Sequence, residues 1–403
     1  MWKTVKLGDL CEVVTKGTTP TSVGFKFESQ GINFVKVESL AADSTFIASK
    51  FAKINSECHE TLKRSQLKDG DILFSIAGAL GRTAIVTEDI LPANTNQALA
   101  IVRLKENVEV DRRFLLYVLN SESTREQSDS NKGGVAQQNL SLTQLKNYEV
   151  TLPPLAEQQR IVAKLDAAFT EIDRAVELET NLRATTQQLR ESTLISMFSE
   201  LDDDCEQMHL SDVCVDFSRG KSKHRPRNDE RLYGNAIPFV QTGDVSNAKK
   251  HLNQYTKMYS EFGIEQSKQW SKGTVCITIA ANIAELAILD MNACFPDSVI
   301  GALPDENITS SEYLFYLLNY FQKKIKAKSK GSAQQNINLA TFSHETFPFP
   351  TLARQKQIAT DLAELDASIE KIIEIRNEKI GSLHALKSAI LAQELQPQQS
   401  EAA

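Results

Sequence analysis

The chain has no run of about 18 apolar residues, so nothing in it reads as a membrane-spanning helix. Its start, Met1-Trp2-Lys3-Thr4-Val5-Lys6-Leu7-Gly8-Asp9-Leu10, lacks the apolar stretch of a secretory leader. Cysteine is scarce: six among 403 residues, at 11, 58, 205, 214, 276 and 294, with no Cys-x-x-Cys and no zinc-ligand spacing to the six histidines. This excludes a disulfide scaffold and a structural zinc site, and predicts isolated buried thiols in a reducing cytoplasm. Common catalytic patterns are missing as well. There is no Gly-x-Gly-x-x-Gly, P-loop, His-Glu-x-x-His or Gly-x-Ser-x-Gly. Nor is there an Asn-Pro-Pro-aromatic or Asp-Pro-Pro-Tyr tetrapeptide of the kind amino-methyltransferases use. Positive charge is not in excess: the net charge is −7, which counts against a free-standing nucleic-acid binder. The cations are nonetheless clustered, at Arg219, Lys221, Lys223, His224, Arg225 and Arg227, and again at Lys323, Lys324, Lys326, Lys328 and Lys330.

What the chain does have is a copy of itself. Leu152-Pro153-Pro154-Leu155-Ala156-Glu157-Gln158-Gln159-Arg160-Ile161 returns 197 positions on as Phe349-Pro350-Thr351-Leu352-Ala353-Arg354-Gln355-Lys356-Gln357-Ile358. The same offset carries Ala136-Gln137-Gln138-Asn139 onto Ala333-Gln334-Gln335-Asn336. A tandem duplication at near half the chain length implies two similar sites held a fixed distance apart. Each copy reads as a globular part followed by a long helix. Apolar runs at 33–40, 69–76, 84–86, 238–245 and 273–280, rich in Val and Ile and bounded by Gly, Asp and Asn, predict strands. Residues 112–120 and 312–320 have helical spacing of Leu, Phe and Tyr. The class is α+β, with a small mixed or antiparallel sheet or barrel in each copy.

Pro154 fits a first helical turn. Beyond it, Ile161, Leu165, Ala168, Ile172, Ala175, Leu182 and Leu189 follow a seven-residue period, with Glu179, Thr186 and Thr193 as imperfect members. The second seam is Ile358, Leu362, Leu365, Ile369, Ile372, Leu383, Leu386 and Ile390, interrupted by Arg376 and Lys379. An apolar stripe must be buried, and each helix is the natural partner of the other. Connectivity favours an antiparallel coiled coil with the globular domains at opposite ends of a rigid spacer, a pseudo-twofold repeat. The expected boundaries are a first domain at 1–152, a helix at 153–200, an acidic linker at 201–208, a second domain at 209–349, a helix at 350–396 and a disordered tail at 397–403.

Candidate binding residues lie in polar loops. Asn and Gln pair with adenine edges, and Arg or Lys with guanine or phosphate. Thr18, Thr19, Asn94, Asn96, Gln97, Lys132, Gln137 and Gln138 are the candidates in copy one; Arg219, Lys221, Lys223, Arg225, Lys330, Gln334 and Gln335 are those in copy two. Lys36, Gln241 and Thr242, on the apolar runs, join them. Asp69 and Asp71 flank Gly70, but copy two has Ser271-Lys272-Gly273-Thr274 there, so a strand-leading turn explains them better than a metal site.

The order of domain, Leu-Pro-Pro-Leu-Ala-Glu-Gln-Gln-Arg-Ile-Val, long helix, second domain and second helix resembles the specificity subunit of type I restriction-modification systems over residues 1–396. The resemblance implies two target-recognition domains, each reading one half of a bipartite asymmetric DNA target. It also implies that the coiled coil sets the spacer and docks two methyltransferase (modification) subunits. Restriction or motor subunits would be optional further partners. It implies no catalysis and no cofactor in this chain, with S-adenosylmethionine, ATP and Mg held by partner subunits, no membrane partner, and a cytoplasmic location. Ala77-Gly78-Ala79-Leu80-Gly81-Arg82 resembles the family's glycine-punctuated loop and nominates Arg82. Copy two reads Ala280-Ala281-Asn282-Ile283-Ala284-Glu285, which loses both glycines and the arginine and leaves Asn282 as the candidate. The alternatives are a coiled-coil scaffold with peptide-binding end domains, and an enzyme, a nuclease or methyltransferase, with an unfamiliar motif.

Overall fold

The computed structural model describes residues 2–130, 139–201, 205–279, 284–328 and 339–397. The chain divides into two compact units, Met1–Glu179 with Glu378–Ala403, and Thr180–Asn377. The division passes through both long helices rather than at their ends, where the sequence places its boundaries. The reason is packing: each globular part holds the near half of its own helix, and that half pairs with the far half of the other.

In the first unit, strands Cys11–Lys16, Leu99–Leu104, Ile72–Ser75 and Thr83–Ile85 form one antiparallel sheet in that order. A second sheet sets Ala52–Ile54 antiparallel and Ala93–Thr95 parallel to Ile32–Val35. The second unit repeats both. Cys214–Arg219, Val299–Pro304, Val275–Thr278 and Leu286–Leu289 follow the same order, with His251–Leu252 added at the edge. Tyr233–Phe239 lies between Lys257–Tyr259 and the parallel Ala293–Cys294, as Ile32–Val35 does in the first unit. The internal repeat is therefore one of topology as well as sequence.

Three expected elements differ. Residues 206–208 are not linker: Glu206–Met208 is a strand paired antiparallel with Phe347–Phe349, the counterpart of Lys3–Lys6 on Glu149–Leu152. This ribbon ties the start of each globular part to its end, and its few alternating residues escape a pattern search. The strand expected over 33–40 stops at Val35 and turns into a short 3-10 helix, Val37–Ser39. The one expected over 238–245 stops at Phe239 and gives way to helix Thr242–Asn247. The same device ends both. Ser39 Oγ accepts from Lys36 N at 3.1 Å, and Asp244 Oδ2 accepts from Gln241 N at 2.8 Å. The tail at 398–403 lies outside the described residues.

Helix Arg112–Asn120 is capped by Asp111, whose Oδ1 accepts from Arg113 N at 2.8 Å and Phe114 N at 3.0 Å. The residues expected to be helical at 312–320 lie within the longer Ser311–Lys328. The long helices span Leu155–Ser199 and Leu352–Glu394, the first about 65–70 Å long at 1.5 Å per residue. In the first unit the pairs Lys164–Glu394, Asp173–Lys387 and Glu179–Lys379, at 2.6, 2.7 and 2.6 Å, run in opposite chain directions, so the segments are antiparallel. In the second unit Arg183–Asn377 at 3.0 Å and Arg190–Asp366 at 2.5 Å show the same.

Of the expected seam, Ile161, Leu165, Ile172, Ile358, Leu362 and Ile369 are buried, and Leu182 and Leu383 half-buried. Leu189 and Leu386 are not buried: they are 57% and 48% exposed, and Ile372 is 39% exposed. Leu189 and Leu386 each stand four heptads after the first seam residue of their helix. A strict seven-residue repeat drifts about 20° per heptad on a straight α-helix, and it is the Leu189 and Leu386 row that turns outward, while Leu383 and Ile390 of the other row stay packed on the first unit's core. The stripe follows 3.6 residues per turn instead, burying Leu194 and Phe198 in the second unit and bringing Leu391 and Leu395 into the core of the first. Leu165→Ala is therefore expected to cost about 2–5 kcal/mol in denaturant unfolding, and Leu189→Ala less than about 0.5 kcal/mol. Equal costs would restore the strict heptad.

Candidate nucleic-acid interface

The geometry converges on the loop that follows the first long strand of each unit. In the first unit Gly17 N donates to Leu99 O at 3.4 Å, and Thr18 N to Thr95 O at 3.2 Å. A Cβ on Gly17 would lie 1.9 Å from Thr95 O, so only glycine allows this approach. The contact brings residues 17–19 against 95–97. Thr19 Oγ1 donates to Gln97 Oε1, and Arg64 Nη2 reaches Thr18 Oγ1 at 3.3 Å. Three sequence candidates, Thr18, Thr19 and Gln97, thus share one surface. Asn96 adjoins it, its Oδ1 accepting from Ala98 N at 3.1 Å.

The second unit repeats the pivot. Gly220 N donates to Val299 O at 2.9 Å, and a Cβ on Gly220 would lie 2.2 Å from Phe295 O. Lys223 N donates to Gln266 O at 3.0 Å, and Ser267 Oγ to Lys221 O at 2.8 Å, which fixes the loop backbone. Arg219, Lys221 and Lys223 are exposed, and none has a side-chain partner among the described residues. Arg225 Nη1 folds back on Ser222 O at 2.6 Å and His224 O at 2.8 Å. Arg227 pairs with Asp297 at 2.9 Å, and Arg231 with Asp229 at 2.7 Å. Hydrogen bonds from the Arg231 guanidinium, then from the Arg231 backbone N–H and His224, hold the Asp229 carboxyl far below the usual range. That anion anchors Arg231.

Other candidates are placed less simply. Asn94 faces inward and is fully buried. Its Nδ2 donates to Leu62 O at 3.1 Å and Ser65 Oγ at 3.2 Å, and its Oδ1 meets His59 Nδ1. Its expected role in base reading is corrected: with every polar atom engaged, it braces the segment that carries Arg64. Lys36 is half-buried, paired with Glu38 at 2.8 Å and 5.5 Å from the Phe27 ring centroid. The Lys36 hydrogen bond lowers the Glu38 pKa. Gln241 occupies the matching turn of the second unit, and Thr242 begins the helix after it. Arg82 Nη1 donates to Leu40 O at 2.9 Å, at the end of a turn in which Gly78 and Gly81 have φ of 75° and 83°. In copy two, residues 280–283 of the corresponding stretch lie outside the described residues, and its end is at Ala284. Ala284 takes φ 63°, its N donating to Thr278 O at 2.7 Å as Gly81 N does to Ser75 O at 2.9 Å. Lys132, Gln137, Gln138, Asn282, Lys330, Gln334 and Gln335 lie outside the described residues.

Asp71 has a structural role: its carboxylate holds Arg103 Nε and Nη2, both at 2.7 Å, and accepts from Lys68 N at 2.8 Å. Burial raises the cysteine thiols, Cys11 to about 11 and Cys214 to about 12, so neither carries thiolate at neutral pH. Sequence reasoning missed Arg64 and Phe27. Arg64 is 46 residues from Thr18, and no spacing rule connects them. Phe27 reads as core until its 39% exposure is seen.

The family model for the type I restriction modification DNA specificity domain matches residues 1–185 and 202–380, and the chain belongs to that family. A putative type I restriction enzyme MjaX specificity subunit from Methanocaldococcus jannaschii is 24% identical, over 97% of this chain and 92% of its own length. The EcoBI specificity subunit of Escherichia coli is 31% identical over 42% of this chain and 35% of its own. Among solved structures, one described by complex assembly and conformational transition of the type I R-M system has TM-score 0.78 at 20% identity, covering 99% of this chain and 98% of that one. The HsdS subunit from Thermoanaerobacter tengcongensis has TM-score 0.57 at 20% identity, with 98% and 96% covered. These likenesses establish the fold.

The Gly17 pivot is directly testable. Gly17→Ala should open the contact between 17–19 and 95–97 at a cost of about 2–3 kcal/mol, raising amide exchange in peptides spanning 11–24 and 93–99. Gly243→Ala, where nothing lies within 4 Å of the added Cβ and φ is not left-handed, should leave those peptides protected. Equal protection in both variants would remove the pivot.

Proposed function

We propose that the chain is the DNA-recognition subunit of a type I restriction-modification complex, in which each globular part reads one half of a bipartite, asymmetric double-stranded target. The observation that carries this reading is the pairing of one frame with two different loops. Strand order, glycine pivot and capping turns recur in both units, while the residues beyond the pivots share no chemistry. Modules built to read different bases from a common scaffold have this character. The helices set the distance between half-sites and dock two methyltransferase subunits, with restriction or motor subunits joining in a cleaving complex. Methyl transfer, cleavage and ATP hydrolysis fall to those partners, which carry S-adenosylmethionine, ATP and Mg; this chain is non-catalytic and holds none of them. The complex works in the cytoplasm. Among the described residues, no helix is long and apolar enough to cross a membrane.

The docking role is supported by exposed apolar side chains that obey the repeat. Leu178 at 57% and Ile375 at 54% are counterparts, as are Leu189 at 57% and Leu386 at 48%. Each unit thus presents one member of each pair, as expected if the same partner binds twice.

Replacing residues 1–150 by the equivalent part of a relative should change one half of the methylated sequence and preserve the other, read by genome-wide methylation mapping. A change in both halves would defeat the modular reading. Co-purified with a methyltransferase subunit, the chain should bind two copies. Leu178→Asp with Ile375→Asp should reduce this stoichiometry without lowering the unfolding midpoint, and retention of both copies would rule that surface out.

A further inference from the structure

The two pivot loops can be compared residue by residue. Gly17 and Gly220 open them, and Gly31 and Gly234 close them, so 18–31 and 221–234 have equal length. Their chemistry is opposed. The loop 221–234 carries five cations, Lys221, Lys223, Arg225, Arg227 and Arg231, against two anions, Asp229 and Glu230. The loop 18–31 carries one of each, Lys26 and Glu28, and is otherwise neutral. It holds instead two exposed large hydrophobic residues of the first globular part, Val23 at 43% and Phe27 at 39% exposed. No such residue occurs in 221–234.

Phe27 is exposed but not loose. Its ring meets Phe34 edge-on at 5.3 Å between centroids, and Phe34 is fully buried. Lys36 Nζ lies 5.5 Å from its centroid and is steered by Glu38. The ring is thus held by Phe34 and Lys36 while the residue stays 39% exposed, in the same loop that begins with Thr18 and Thr19. An anchored, half-open aromatic ring in a loop without net charge suits an apolar contact with a base edge. In the major groove the apolar feature that distinguishes bases is the thymine C5-methyl group. By contrast, unpartnered cations on a pinned backbone suit phosphate neutralisation, which carries no sequence information of its own.

Resting on the recognition role proposed above, we infer that the two units divide the work unequally. The 221–234 loop supplies ionic attachment to the phosphate backbone, and the 18–31 loop reads thymine methyl groups through Val23 and Phe27. The salt dependence of binding then belongs mainly to the second unit, and methyl discrimination to the first.

The test uses the chain assembled with its methyltransferase subunits. The probes are a mixed-sequence duplex of about 30 base pairs, and a duplex carrying the bipartite site that methylation mapping returns. Lys221→Ala with Lys223→Ala should reduce the slope of log affinity against log salt by about 2, at roughly 0.9 for each phosphate no longer neutralised. Val23→Ser with Phe27→Ser should leave that slope unchanged. Replacing thymine by uracil, which removes only the methyl group, should weaken wild-type binding about four-fold per contacted base in the half-site read by the first unit. The serine variant should already be weakened and should weaken no further on that substitution. The uracil probe alters the DNA alone, so a misfolded variant cannot imitate its result. Indifference of the wild type to uracil, a first-unit half-site made only of G·C pairs, or a slope that falls in the serine variant would each overturn the inference. If the wild-type complex protects no pair of tracts in a footprint, the recognition role fails and the inference with it. Two protected tracts with any of the preceding results would leave that role standing and remove only the division of work.

Discussion

The structure depends on one buried amide used twice. Gln158, 1% exposed, donates from Nε2 to Pro153 O at 2.8 Å and Glu109 O at 3.0 Å, and its Oε1 accepts from Asp111 N at 2.8 Å. Gln355, 2% exposed, donates to Pro350 O and Ile308 O, both at 2.9 Å, and accepts from Thr309 Oγ1 at 2.8 Å. In each unit the side chain bridges the start of a long helix and the segment leading into a domain helix. Neither segment can shift without leaving buried polar groups unpaired, at about 1–3 kcal/mol each. Glutamine is needed because one planar group must both donate and accept. This explains why the repeat is strongest at 152–161: the bases to be read can change, but this joint has one chemical solution.

A second constraint follows from helix geometry. The sequence period is seven, while a straight helix repeats every 3.6 residues, and the two agree only over the first few turns. Ile161, Leu165 and Ile172 are therefore buried as the pattern predicts, whereas Leu189 and Leu386 rotate outward. The same drift occurs in both helices because the phase itself was duplicated. Burial is taken over by Leu194 and Phe198, which a strict heptad reading assigns to no seam. Polar residues in the stripe find partners across it, as Glu179, 4% exposed, does in Lys379. A seam of this kind leaves apolar positions exposed while the helix pair keeps its buried contacts.

The fold was legible where periodicity or duplication carried it. The long helices, helix Arg112–Asn120, the strand class and the two-copy plan all follow from spacing and composition. Elements set by short polar contacts were not legible. The turn at Ser39 and the one at Asp244 each interrupt an apolar run through a single side chain, and the three-residue strand Glu206–Met208 carries no pattern of its own. In the candidate site, residue type named the right chemistry but not its direction. Asn94 and Gln97 lie three residues apart and have similar amides, yet one is sealed in the core and the other is exposed. The alternation that separates them depends on the strand Ala93–Thr95 ending before Gln97, a boundary too fine for sequence patterns to place. Arg64 was hidden by distance along the chain.

The net charge of −7 at first argues against a nucleic-acid role, and the structure shows why the total misleads. Acidic side chains are placed where they organise cations: Asp229 holds Arg231, Asp297 holds Arg227, and Asp366 holds Arg190. Lys221 and Lys223, just after the second pivot, are exposed and have no side-chain partner among the described residues. A phosphate backbone senses potential within about 8–10 Å at physiological salt, so this local excess governs attraction more than the sum over the chain. An acidic total also limits non-specific attachment elsewhere on the surface. The same frame can then hold a charged loop in one unit and a neutral, apolar one in the other, because neither the glycine pivot nor the glutamine joint depends on what the loop carries.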